Sequence, residues 1–146
     1  MKLKTTLFAL LLLPVFGYSQ TISCSKFKDG TFKVTDPATK KVCIITRKGN
    51  TQTERMENTP EIYDFSINWL DDCTYTINPT PATSARNKDV LKAGTMTVKI
   101  IKATDTSYTQ RVTVANNPKF RRVDEVFAVP DKKEEKKEKK EEDQKY

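Results

Sequence analysis

The 146-residue chain contains no histidine. That removes histidine general-base chemistry, Ser-His-Asp and Cys-His nucleophile arrangements, and the commonest zinc ligand. Its four glycines stand at positions 17, 30, 49 and 94, and no pair is spaced for a phosphate-cradling loop. Asp71 and Asp72 are the adjacent carboxylates nearest an aromatic-rich segment. Glycosidase-type chemistry needs two carboxylates converging on one bond, whereas adjacent residues in a turn point apart into water. No catalytic residue, metal ligand or cofactor site is assigned, and the chain reads as a non-enzyme. Three cysteines, Cys24, Cys43 and Cys73, permit one bridge and one free thiol. Cys24 and Cys73 are the preferred pair, because one precedes the first strand and the other opens a strand in phase with Tyr75. Pairings Cys24–Cys43 and Cys43–Cys73 stay open. Closing a loop of about 50 residues is worth about 3–4 kcal/mol in the chain-entropy model. Cys43, inside a β-branched run, reads as a buried thiol rather than a reactive one.

The elements that position these residues are strands. Thr31–Thr35 alternates after the turn signal Asp29-Gly30. Val42–Arg47 is a compact β-branched run closed by a Lys48-Gly49-Asn50 corner, and the polar stretch Thr51–Met56 is its return arm. Ile62–Trp69 carries the clearest pattern, with Tyr63, Phe65, Ile67 and Trp69 on one face and Asp64, Ser66 and Asn68 on the other. Asp71-Asp72 turns the chain, and Cys73–Ile77 returns with Cys73, Tyr75 and Ile77 in phase. Residues 78–89 hold Pro79, Pro81 and a polar run, and read as the longest loop. Thr95–Ile101, Ser107–Val114 and Phe120–Val129 complete the set. About eight short strands with turn signals between them predict an all-β antiparallel meander, closing into a small lipocalin-like barrel or a curled sandwich. An eight-stranded barrel is just large enough to fill itself or to hold one small ligand. Tyr63, Phe65, Trp69 and Tyr75 are therefore expected to line either a ligand cavity or a packed core.

Three domains follow. Residues 1–19 combine a basic start at Lys2 and Lys4, an apolar run from Leu7 to Phe16, and small residues before Gln20. That is the pattern of a cleavable secretory signal peptide, too short to span a bilayer. The body, residues 20–130, is one domain with one core. Residues 131–146 form a low-complexity tail with 7 lysines and 7 acidic residues. It lacks the apolar residues needed to bury a face. The +7 net charge leaves +5 on the body, short of the clustered basic stripe that a nucleic-acid partner demands. The expected location is periplasmic or extracellular through the Sec pathway. Thr21-Ile22-Ser23-Cys24 is a weaker lipoprotein signal, since Thr21 replaces the usual Leu-like residue and Cys24 lies well past the apolar run.

Three segments resemble small secreted proteins of flavobacteria and related Bacteroidetes. They are Cys24–Phe32, Ile45-Thr46-Arg47 with Thr51-Gln52-Thr53-Glu54, and Ile67–Tyr75. The likeness spans most of residues 24–115, and the tail after Val129 departs from it. Members of that group carry the descriptions hypothetical protein or DNA topoisomerase IV. A topoisomerase needs an ATP site or a nucleophilic tyrosine supported by metal and basic groups, in a far larger intracellular chain. The resemblance implies a Cys24–Cys73 bridge and no activity. Two functions from different classes remain. One is an exported β-barrel binding a small apolar ligand or a protein partner. The other is a structural or adhesive envelope component, acting through the basic body and charged tail. Mass spectrometry of protein from the native host should return a chain starting at Gln20 from outside the inner membrane. An intact Met1 in the cytosolic fraction would contradict export.

Overall fold

A computed structural model describes residues 22–130. The expected leader and charged tail lie outside the described residues. Within them the chain forms a closed eight-stranded antiparallel barrel in strict meander order. The strands are β1 (Gly30–Thr35), β2 (Val42–Lys48), β3 (Thr51–Met56), β4 (Ile62–Trp69), β5 (Thr74–Pro79), β6 (Met96–Ala103), β7 (Ser107–Val114) and β8 (Asn117–Val129). Closure comes from β1 on β8, with Thr31 opposite Val129 and Val34 opposite Val126. Each strand thus has two partners, and no ladder edge is left exposed for association.

Alternation carries each strand through the wall. In β4 the burial alternates as the sequence pattern predicts, with Phe65 and Ile67 buried and Ser66 and Asn68 exposed. The tight β2–β3 corner relies on Gly49 at φ +58°, a left-handed conformation that glycine adopts without steric cost. Two apolar clusters form the core. One gathers Phe27, Phe32, Val34, Ile45, Ile100, Tyr108 and Val126, and the other Phe65, Ile67, Tyr75, Ile77 and Val98.

One end of the barrel is plugged. A 3-10 turn, Ser25–Phe27, lies across it and is tied to all three hairpin loops at that end. Cys24 is disulfide-bonded to Cys73 in the β4–β5 loop, and the Cys24 N–H donates to Asp72 Oδ2 at 3.2 Å. Lys26 pairs with Asp105 in the β6–β7 loop at 3.2 Å. Gly49 in the β2–β3 corner donates its N–H to Asp29 Oδ1 at 2.8 Å. Phe27, 1% exposed, is the stopper. The Cys24 sulfur is committed to this bridge.

Residues 78–89 depart from the loop expectation. They extend β5 to Pro79 and then form a helix, α1 (Pro81–Arg86), followed by a 3-10 turn over Lys88–Leu91. Thr80 caps α1 by accepting the Thr83 N–H, and Pro81 sits in the first turn, where its fixed φ suits a helix. Six residues are too few to show a 3.6-residue apolar period, so the pattern does not announce the helix. Thr83 anchors it, 1% exposed, with Oγ1 accepting the Asp64 N–H at 2.9 Å.

The bridge closes a separation of 49 residues. A Cys24→Ser/Cys73→Ser double variant should lose about 3–4 kcal/mol of stability in urea denaturation. An unchanged midpoint would mean that the bridge does not hold the plug.

Candidate ligand-binding cavity

Opposite the plug, the barrel opens into a cavity of about 680 Å³, within the range of small-molecule sites. Its floor is built on Arg47. This side chain is 2% exposed and reaches inward from β2 just above the plug. Nε donates to Gln52 Oε1 at 2.8 Å and Nη1 to the Phe27 carbonyl at 2.9 Å. Nη2 donates to the hydroxyls of Tyr75 at 2.5 Å and Tyr108 at 2.7 Å. The guanidinium also lies over three rings, 4.9 Å from the centroids of Phe32 and Tyr75 and 5.6 Å from that of Tyr108. Charge-assisted bonds and ring contacts replace the water that the ion gives up. Burial pushes the tyrosine hydroxyls above their ordinary range, with the Arg47 charge opposing it, so both stay protonated at neutral pH.

Above the floor is a polar layer. Gln52 Nε2 donates to Glu54 Oε1 at 2.7 Å, so the Arg47 charge is relayed to a carboxylate through an amide. Burial pushes the Glu54 carboxyl up, and the Gln52 bond and Arg47 charge pull it partly back. Across the barrel, Asp124 Oδ1 accepts from Arg122 Nε at 2.7 Å, and Arg122 also reaches Asp36 at 3.9 Å. Gln110 on β7, paired with Asp124 on β8, is 7% exposed. Its Oε1 is the one buried side-chain oxygen or nitrogen without a hydrogen-bond partner among the described residues.

The walls rising to the mouth are apolar: Val34, Ile45, Met56, Ile77, Met96, Val98, Val112, Val114 and Phe120. Cys43, the free cysteine, lines the same wall. Burial, aided by the Glu54 charge, pushes its thiol up to about 11. It is a protonated wall residue at neutral pH, not a nucleophile.

The four aromatics singled out from the sequence take different places. Tyr75 lines the cavity and bonds Arg47. Phe65 is 5% exposed inside the second apolar cluster, and Tyr63 and Trp69 pack half-buried against it. Trp69 stacks on Tyr75 at 4.6 Å, with Lys28 Nζ 5.0 Å from its ring centroid. Asp71 and Asp72 serve the turn: Asp71 Oδ1 accepts the Cys73 N–H at 2.8 Å, and Asp72 Oδ1 pairs with Lys28 at 3.2 Å. Sequence reasoning missed Arg47, Gln52, Glu54, Gln110, Arg122 and Asp124. Phase was only a weak signal, since Thr51–Met56 is polar on both faces. Gln52 and Glu54 share parity with Met56, and Gln110 with Tyr108 and Val112.

No protein-family model matches the chain, and neither a curated protein nor a solved structure matches it.

Replacing Arg47 with methionine keeps an apolar stem but leaves two hydroxyls, a carbonyl and an amide oxygen buried without their donor. Arg47→Met should cost about 3–5 kcal/mol in urea unfolding. Arg47→Lys should recover less than half of that, since an ammonium lacks the planar fork. A loss under about 1 kcal/mol for Arg47→Met would show that the cluster is not what holds the floor.

Proposed function

We propose that this is an exported, non-enzymatic binding protein whose barrel holds one small, largely apolar ligand. The observation that carries the reading is the asymmetry of the interior. The lower half is filled by Phe27, Phe32, Tyr108 and the Arg47 cluster, while the upper half keeps a cavity of about 680 Å³ with apolar walls. Barrel geometry does not force such a space, because eight strands can be filled by side chains alone. The residues that would have closed it, at positions 43, 54, 110 and 112, are medium-sized or polar.

Export is supported by the Cys24–Cys73 bridge, since disulfides persist in oxidising compartments. No helix among the described residues is long and apolar enough to cross a membrane. The non-enzymatic reading is supported by the missing histidine and the protonated Cys43 thiol. The location of the Asp71-Asp72 pair in the β4–β5 turn also supports it. The envelope-component alternative rests on the basic body together with the charged tail, and the tail lies outside the described residues.

The neutral probe N-phenyl-1-naphthylamine, which brightens in apolar surroundings, tests this. The exported protein, tail included, should enhance its emission and saturate near one probe per chain. Val112→Trp, which fills the upper wall, should lower probe affinity at least tenfold while circular dichroism keeps its β signature. No enhancement, or equal enhancement by the variant, would overturn the reading.

A further inference from the structure

Hydrogen bonding inside the cavity is lopsided. The one deeply buried cation, Arg47, is engaged with four oxygens, and Arg122, its side chain 44% exposed, is paired with Asp124 and reaches Asp36 at 3.9 Å. The acceptors are not matched in the same way. Among the described residues, Glu54 receives a hydrogen bond on Oε1 alone and Asp124 on Oδ1 alone, and Gln110 Oε1 has no partner. These three side chains come from β3, β8 and β7 and all line the cavity. A buried acceptor left unpaired costs free energy, so Gln110 Oε1 is a cost that plain packing does not explain, and the second carboxylate oxygens of Glu54 and Asp124 belong to side chains lining the same space.

We propose that the cavity is built for an amphipathic amine, with an ammonium head among Glu54, Asp124 and Gln110 and an apolar body against the walls above. This rests on the reading of the barrel as a ligand-binding cavity and names the chemistry of its occupant. An ammonium carries three donors and no acceptor, which complements three spare acceptor sites. It also supplies opposite charge to Glu54, which forms no salt bridge among the described residues and feels the Arg47 and Arg122 charges only at longer range. A carboxylate head meets the reverse. Its lone pairs would face Glu54 and Asp124, while Arg47 is shielded by the tyrosine hydroxyls. The rim lysines Lys41 and Lys92 lie at the mouth. Lys92 is already paired with Asp89 at 2.7 Å and Arg122 with Asp124, which leaves an anion chiefly Lys41 at the mouth.

Decylamine, decanol and decanoate share one chain length and differ only in the head. Each is titrated against bound N-phenyl-1-naphthylamine at pH 7, below its micellar range, using the exported protein. The expected result is displacement by decylamine at concentrations about tenfold or more below those of decanoate, with decanol between them. Glu54→Gln should weaken decylamine about tenfold, and Asp124→Asn gives a second variant should the first not fold. Decanoate displacing the probe as well as decylamine does, or folded Glu54→Gln and Asp124→Asn variants that leave the amine preference intact, would overturn this inference and leave the cavity reading standing. A chain that never takes up the probe would remove both.

Discussion

Arg47 brings a full positive charge into the barrel with its side chain 2% exposed, and the rest of the interior is arranged around that fact. An isolated ion in such a place would be prohibitively expensive. It is tolerated because β1, β3, β5 and β7 and the N-terminal turn each present an oxygen or a ring to it. The guanidinium therefore joins elements up to 61 residues apart in sequence, and it does so only when the barrel is closed. Its planar fork fixes several directions at once, which an apolar contact cannot. The cluster thus acts on specificity as well as stability: a slipped register would leave the charge unpaired.

The same cluster separates two halves with different physics. Below it, Phe27 is held by a disulfide, an ion pair and N–H-to-carboxylate hydrogen bonds that reach every hairpin loop at that end. The plug restores packing where the strands alone would leave an open ring. Above it, the walls are apolar but do not meet. The one-sided closure follows from where the chain begins its first strand, since the segment before β1 lies over one end only.

Between the halves sits the polar layer of Glu54, Gln110 and Asp124. Closure of the barrel runs through the β1–β8 ladder and not through these side chains. Local choices that work against the stability of a fold tend to mark function. The buried acceptors here are the clearest departure from a core optimised for packing. On the outside, Val123, Phe127 and Val129 of β8 are exposed while Asp124 is buried and the half-exposed Arg122 borders the cavity, so that strand reverses the usual sorting over several residues.

The alternation of Tyr63, Phe65, Ile67 and Trp69, the turn residues between short runs, and the spacing of eight such runs were enough to establish an all-β meander. Side-chain direction along a strand is a local property with period two. The preference for Cys24 with Cys73 also came from local phase. Closure was another matter: a barrel and a curled sandwich share the same strand list and differ only in whether β1 meets β8. The site was less legible still. Thr51–Met56 is polar on both faces, so the pattern could not say that Gln52 and Glu54 turn inward, and β8 carries apolar residues on both parities. Which face of a polar strand is buried is decided by its neighbours. Arg47 became the centre of the molecule only when tertiary structure brought Phe27, Tyr75 and Tyr108 around it, because a charge can be buried only where distant partners converge.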